Sequence, residues 1–184
     1  MPLTVIYETH STSADNEAGL ASGHADPPLS PLGRRQAAAL GRRRGRERFD
    51  AVLCGDRERQ RATAALAFPD TRFPIVIDAR LRECDYGTST RAPAAEVEAA
   101  RAAHVDEPFP EGESYRQAVE RHRAVLTEAE ARWPGGRVLL IGSHAAFVAL
   151  EHLCERVPLH EAVTNPRPWQ PGWSYEFASS VGTA

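Results

Sequence analysis

Short apolar runs alternate along the chain with longer segments in which apolar residues recur at helical spacing. The first run, residues 3–7, predicts a strand that is apolar at most positions, as in strands buried on both faces. Further strands are predicted at 50–53, 75–77, 137–142 and 173–178. The helical spacing predicts helices at 31–45, 57–68, 94–103, 115–133 and 145–155, while residues 11–30 read as a long loop.

This alternation of strands and helices predicts an α/β fold, a three-layer α/β/α sandwich with a mostly parallel central sheet. The length of 184 residues fits a single domain spanning 1–184. In such sheets ligands bind beyond the carboxyl ends of the strands. The first strand ends at His10, the second ends just before Asp56 and Arg59, and the strand at 137–142 ends at His144. We therefore expect these polar side chains to meet at one edge of the sheet.

Charge argues against a nucleic-acid-binding protein. The chain carries 22 Lys and Arg against 25 Asp and Glu, a formal net charge of −3, so it lacks the basic balance of a polyanion-binding domain. One predicted helix does carry a cluster of arginines, which we interpret as a solvated helix face without a binding role. Its members are Arg34, Arg35, Arg42, Arg43 and Arg44.

Cysteine and histidine spacing give no sign of a disulfide framework or a metal site. Cys54, Cys84 and Cys154 are odd in number, far apart and without a CxxC pair. No HxxxH or HExxH spacing occurs, so no metal or other cofactor is expected. The first residues lack a signal-peptide pattern, and no run approaches the ~18 apolar residues of a membrane span. A cytoplasmic protein without membrane contact is expected.

Two histidines and an arginine at strand ends favour phosphate chemistry. A neutral imidazole can attack phosphorus, and the planar guanidinium fork matches two phosphate oxygens. The second histidine can stabilise developing charge, and a carboxylic acid must protonate the departing oxygen. His10 is the candidate nucleophile, Arg59 the candidate guanidinium and His144 the candidate second histidine.

Six short runs in a fixed order carry a family resemblance: THSTSADN, PLSPLGRRQA, CGDRERQRATA, LRECDYG, PEGES and SHA. Together they resemble the histidine phosphatase superfamily, the phosphoglycerate-mutase-like proteins, nearly from end to end. The opening run is a variant, because the family's Arg-His-Gly is replaced by Thr-His-Ser.

The resemblance implies roles for individual residues. His10 takes the position of the nucleophile that becomes phosphohistidine, Arg59 that of a phosphate clamp, and His144 that of the second pocket histidine. Glu83 takes the position of the general acid, and Asn16 a loop position near the phosphate. The implied activity is metal-independent hydrolysis of a small phosphomonoester, and the expected ligand is that small phosphorylated substrate. A homodimer is compatible with the sequence, but the sequence does not determine the oligomeric state.

The replaced arginine changes what we expect of the pocket. A charge-assisted hydrogen bond is worth ~1.5 to 3 kcal/mol, so its loss weakens transition-state binding by roughly ten- to a hundredfold unless another group replaces it. Arg57 and Arg61 do not share a helix face with Arg59 and are not expected to substitute. Thr9 and Ser11 are therefore expected to contribute to phosphate binding. With neighbouring hydroxyls and the backbone N–H groups of the turn, they would form a neutral anion cradle.

Further features of the sequence leave alternatives open. Glu8 occupies an apolar position of the family's first strand, and it either pairs with a nearby arginine or reorients His10 and Thr9. Asp85 could take the acid role, but its spacing to Gly87 favours Glu83. The alternative functions are a degenerate member that binds an anionic ligand or partner without turnover, and an enzyme of altered chemistry. Mutase activity is less favoured because the chain has little insertion to hold a rearranging substrate. Two or more cations around His10 favour a phosphatase, whereas a Glu8 side chain that points into the pocket counts against it.

The tryptophans at 133, 169 and 173 are interpreted as packing residues, with the last two also able to line a cleft.

Overall fold

A five-stranded sheet forms the centre of the protein in the computed structural model, which describes residues 1–168 and 170–179. The strand order is β3-β2-β4-β1-β5. Neighbours pair in parallel except β5, which runs antiparallel to β1. The strands are β1 (Leu3–Thr9), β2 (Ala51–Cys54), β3 (Ile75–Ile77), β4 (Arg137–Gly142) and β5 (Trp173–Phe177).

The helices lie in the connections between the strands. They are α1 (Ala14–Glu17), α2 (Pro31–Arg44), α3 (Glu58–Ala67), α4 (Ala94–Ala100), α5 (Tyr115–Arg132), α6 (His144–Leu153) and α7 (Leu159–Thr164). Short 3-10 turns cover Ala79–Leu81, Gly87–Ser89 and Arg101–His104.

Alternate residues of β4 show why the sheet needs helices on both faces. Val138 and Leu140 pack in a cluster with residues of α5 and α6, whereas Leu139 and Ile141 pack with residues of α2 and α3. Side chains alternate between the two faces of a strand, so a strand that is apolar throughout must be covered twice. The predicted three-layer α/β/α fold with a mostly parallel sheet is confirmed, and the single-domain assignment stays a prediction.

Two short helices escaped the sequence analysis. The helix α1 interrupts the predicted loop at 11–30, because Ser13 and Asn16 form a capping box in which each side chain accepts from the other's backbone N–H. The helix α7 buries Leu159, Ala162 and Val163, whose spacing is a usable helix signal in hindsight. The strand β1 extends to Thr9, two residues past its predicted end.

The start of α2 is held against the turn that follows β1. Ser30 caps the helix by accepting from the Gly33 N–H at 3.0 Å, and its own N–H donates to the Thr12 carbonyl. A Cβ on Gly33 would lie 2.0 Å from that carbonyl oxygen. The PLSPLG run is therefore a docking point for the turn that contains His10.

Two tryptophans pack as expected. Trp173 is buried and Trp133 is partly buried against the same apolar cluster; Trp169 lies outside the described residues. Among residues 1–168 and 170–179, no helix has the length and apolar character that crossing a membrane requires.

A buried histidine on α5 makes stability depend on pH. His122 is 1% exposed, its Nδ1 bonds the Ala118 carbonyl at 2.7 Å, and its Nε2 has no partner among the described residues. Burial, aided by Arg121, lowers its pKa to about 3. The unfolded chain therefore binds a proton that the folded protein does not, at any pH between about 6.5 and 3.

We expect the free energy of unfolding to fall with pH below ~6.5, with His122 contributing on the order of 1 kcal/mol per pH unit. Urea unfolding of the wild type and His122→Leu between about pH 6.5 and pH 4.5 (about two units) measures this slope. The variant should show the smaller slope, and the exposed-site control His160→Leu should match the wild type. Equal slopes in the wild type and His122→Leu would contradict the assignment.

Candidate functional site

A cavity of about 690 Å³ opens at the carboxyl ends of the central strands. The structure brings together every site residue that the sequence predicted. The cavity lining includes Thr9, His10, Ser11, Asn16, Arg59, Glu83 and His144.

The parallel pairing of β1 with β4 places the two histidines side by side. Thr9 lies opposite Gly142 in the ladder, and the His10 N–H donates to the Gly142 carbonyl at 2.9 Å. His144 is the first residue of α6 and is separated from the end of β4 by Ser143 alone. Arg59 reaches the same edge from the first turn of α3, after the adjacent β2 strand.

The ring of His10 is oriented as a nucleophile. Its Nδ1 lies 2.9 Å from the Ser11 carbonyl, and because a carbonyl only accepts, a neutral ring carries its proton on Nδ1. The lone pair then resides on Nε2. Burial and the charge of Arg59 lower the pKa of His10 to about 4, so the ring is neutral at physiological pH.

The guanidinium of Arg59 is 1% exposed and partly used by the protein itself. Nη1 donates to the Ala25 carbonyl and Nη2 to the Gly23 carbonyl, each at 2.8 Å. Arg59 therefore fixes the loop that faces α1, and the rest of its five N–H donors remain for an anion.

The Glu83 carboxylate is held by backbone donors at the start of α6. It accepts from the N–H groups of His144 at 3.1 Å, Ala145 at 3.0 Å and Cys84 at 2.7 Å. Burial raises the pKa of Glu83, but His144, the Cys84 N–H and the charges of Arg101 and Arg59 lower it by more. The surroundings thus hold Glu83 as a carboxylate.

The neighbouring carboxylate does not compete for this position. Asp85 accepts from the Gly87 N–H at 3.0 Å, lies 3.3 Å from His24 Nδ1, and does not line the cavity. The spacing argument for Glu83 over Asp85 therefore agrees with the placement of the two side chains.

His144 presents an unused ring nitrogen to the site. Burial and the charge of Arg101 lower its pKa to about 4. Its Nε2 is buried and has no partner within the described part of the chain. A neutral imidazole in this state can accept or donate one hydrogen bond to a ligand.

The backbone of the turn does not form the expected anion cradle. The N–H of Ser11 donates to Thr63 Oγ1, that of Thr12 to Gln36 and that of Ser13 to Asn16. These donors are already committed, so this part of the expectation is wrong. The hydroxyl-bearing residues Thr9, Ser11 and Thr12 line the cavity, whereas Ser13 is fully buried and donates to Asn16.

Glu8 is paired. Its carboxylate is 5% exposed and accepts from Arg43 Nη2 and Arg44 Nε, each at 2.8 Å. The ion-pair reading of Glu8 is confirmed, and the interpretation of the arginine cluster as a purely solvated face is wrong for these two members. The pair ties β1 to the end of α2. Gly172, whose φ is +78°, packs against this ion pair, because a Cβ at this position would lie 2.0 Å from Arg44 Nη2.

The sequence analysis missed one cationic residue of the cavity, Arg101. Neither Arg57 nor Arg61 lines the cavity, in agreement with the helix-face argument. A usable signal existed in the spacing of Arg101 from Val97 and Val105, because an arginine four residues from a buried valine on each side lies on an inward stripe.

Comparison with known proteins gives the same family that the motifs suggest. The family model of the histidine phosphatase superfamily (branch 1) matches residues 9–164. A probable phosphoglycerate mutase GpmB of Klebsiella pneumoniae is 30% identical over 156 residues, covering 80% of this chain and 73% of the relative. An adenosylcobalamin/alpha-ribazole phosphatase of Escherichia coli is 38% identical over 78 residues, covering 42% of this chain and 38% of the relative.

Solved structures share the fold at lower identity. YhfR of Bacillus stearothermophilus aligns with a TM-score of 0.80 and 22% identity, covering 92% of this chain and 87% of that one. A mycobacterial glucosyl-3-phosphoglycerate phosphatase aligns with a TM-score of 0.77 and 23% identity, covering 89% and 84%.

The burial of Glu8 predicts unequal costs for removing its two partners. Arg44→Ala should lower the free energy of unfolding by about 3 kcal/mol, because it leaves a buried carboxylate without its more buried partner. Arg43→Ala, at a side chain 40% exposed, should cost less than about 1 kcal/mol. Urea unfolding of both variants at neutral pH measures the difference; equal costs would show that the two pairs contribute alike.

Proposed function

Because the chain belongs to the histidine phosphatase superfamily, we propose that it hydrolyses a small phosphomonoester through a phosphohistidine on His10, without a metal ion. The observation that carries this proposal is the state of His10. Its ring is neutral, its tautomer is fixed by the Ser11 carbonyl, and it lines a cavity shared with Arg59 and His144.

The first step transfers the phosphoryl group to the protein. The lone pair on His10 Nε2 attacks phosphorus, the bond from phosphorus to the ester oxygen breaks, and the departing alkoxide takes a proton from the Glu83 carboxylic acid. Arg59 donates to the equatorial oxygens as charge redistributes among them. A bound phosphate dianion raises the pKa of His144, and the protonated ring donates to these oxygens through Nε2.

The second step releases phosphate. Water attacks phosphorus, the N–P bond breaks, and the Glu83 carboxylate accepts the proton that the water loses. Glu83 ends this step protonated and ready for the next substrate, and His10 regains its lone pair. Backbone donors favour the carboxylate needed here, while a bound phosphate dianion raises the pKa of Glu83 towards the acid needed in the first step.

The charge around His10 supports a phosphatase over a binding protein without turnover. Arg59 and Arg101 both line the cavity, which gives two cations. Glu8 lines the cavity too, which by itself counts against a phosphatase, but Arg43 and Arg44 compensate its negative charge. The proposed substrate is a small phosphorylated molecule; the absence of nucleic-acid binding, the cytoplasmic location and the homodimer stay predictions.

Replacing the nucleophile should abolish turnover. We expect His10→Ala to release no phosphate from para-nitrophenyl phosphate, 3-phosphoglycerate or alkyl phosphates under conditions in which the wild type does, and to form no acid-labile phosphoprotein. The exposed-site control His160→Ala should retain wild-type activity. Release by His10→Ala equal to that of the wild type would exclude the phosphohistidine route, and no release by the folded wild type would favour a binding protein.

Replacing the acid should matter most for poor leaving groups. Glu83→Gln is expected to lower kcat/KM for an alkyl phosphate by roughly 10²- to 10⁴-fold. The effect on para-nitrophenyl phosphate should be much smaller, because para-nitrophenolate departs without a proton. The wild-type kcat for the alkyl phosphate should also fall as pH rises through the pKa of Glu83 in the substrate complex, and this dependence should be absent in the variant.

Asp85→Asn is the matched control, since that carboxylate does not line the cavity. Equal losses for both leaving groups in Glu83→Gln would argue that Glu83 supports the start of α6 rather than the leaving group.

A further inference from the structure

Three arginines line the cavity, and two of them are already engaged by the protein. Arg43 donates to Glu8 at 2.8 Å, so its charge is compensated. Arg59 uses two of its N–H groups on the carbonyls of Gly23 and Ala25. Neither guanidinium is fully available to a ligand.

Arg101, the third, differs in having an uncommitted guanidinium. Its Nε is buried and has no hydrogen-bond partner among residues 1–168 and 170–179. The ion pairs of this part of the chain include Arg43 and Arg91 but not Arg101. Buried polar groups in folded proteins are nearly always bonded, so an unpaired guanidinium facing a cavity calls for an acceptor from outside the chain.

The fold holds Arg101 in this inward position. Val97 and Val105, four residues away on either side, are 2% and 4% exposed and pack in one apolar cluster with Tyr86 and Tyr115. Val97 lies one α-helical turn before Arg101, and Val105 follows the 3-10 turn Arg101–His104, so buried valines anchor the segment on both sides of Arg101. The side chain reaches the cavity from a segment that is packed in place.

Arg101 also lies close to two other parts of the site. Burial lowers the pKa of His144 and raises that of Glu83, whereas the positive charge of Arg101 lowers the pKa of both groups. A guanidinium near these two groups is near the point where a phosphoryl group on His10 would contact them.

We propose that Arg101 is the second guanidinium that binds the phosphoryl group, delivered from the segment after α4 rather than from the strand that ends at Thr9. This inference rests on the proposed function, since it assigns a further phosphate-binding residue to the same site. A planar fork with uncommitted donors matches phosphate oxygens that Arg59 alone cannot satisfy. The neutral Thr9 immediately before His10 is then compensated from a distant part of the sequence.

Two measurements on Arg101→Gln and Arg101→Lys test the proposal: binding of inorganic phosphate by calorimetry, which needs no turnover, and kcat/KM for an alkyl phosphate. Arg101→Gln should weaken phosphate binding and lower kcat/KM by roughly ten- to a hundredfold, the value of one charge-assisted hydrogen bond. Arg101→Lys keeps the charge without the fork and should fall between Arg101→Gln and the wild type.

Arg123→Gln removes a surface charge on α5, where Arg123 pairs with Glu120, and is the matched control expected to behave as the wild type. Thermal unfolding of each variant separates loss of folding from loss of binding; if Arg101→Gln does not fold, Arg101→Lys carries the comparison. Phosphate binding by Arg101→Gln, or by Arg101→Lys where it alone folds, within twofold of the wild type would overturn the proposal (a threshold of about 0.4 kcal/mol).

The failure of this inference can be told apart from that of the proposed function. Equal hydrolysis by the wild type and Arg101→Gln would overturn the assignment of Arg101 and would leave the proposed phosphatase activity supported. If inorganic phosphate binding depends on Arg101 but no ester is hydrolysed, the assignment of Arg101 to phosphate binding would be supported and the proposed phosphatase activity would be rejected. A wild type that binds no inorganic phosphate would overturn the assignment of Arg101.

Discussion

The parallel pairing of β1 with β4 is the constraint on which the site depends. Thr9 lies opposite Gly142, and the hydrogen bond from the His10 N–H to the Gly142 carbonyl continues the ladder by one residue. Because both strands point the same way, the residues that follow them, His10 and His144, emerge at the same edge. A shift of the strand register by one residue would turn each side chain to the opposite face of the sheet. The side chains of β4 pack in a different apolar cluster on each face, and this packing opposes such a shift.

Buried charge around this edge is balanced group by group. Glu8 is compensated by two arginines of α2, and Glu83 by backbone N–H groups at the start of α6 together with Arg59 and Arg101. Burial of an uncompensated carboxylate would be expensive, so each pairing is also a structural tie between elements. Arg59 and Arg101 also line the cavity, which is the basis of the proposed phosphate site.

The sequence predicted the strands and most helices because their signals are local. The apolar run at 137–142 predicts β4 from adjacent residues alone. The Ser-Pro start of α2 is a capping signal, and Ser30 caps the helix in the structure. The short helices α1 and α7 were missed because a few residues give little periodicity. The backbone cradle was wrongly expected, since the partners of those N–H groups, Thr63 and Gln36, come from other elements.

By itself, the sequence determined the fold class, the family and the candidate positions His10, Arg59, Glu83 and His144, because periodicity and motif order are properties of the chain alone. Only the tertiary structure decided which charged groups are paired within the protein and which are available to a ligand. Glu8 and Arg44 are separated by 36 residues, and Arg101 lines the same cavity as His10 from a segment with no motif of its own. Whether a charge is compensated depends on which groups lie within a few ångströms and how far water is excluded, and both are set by packing between distant segments.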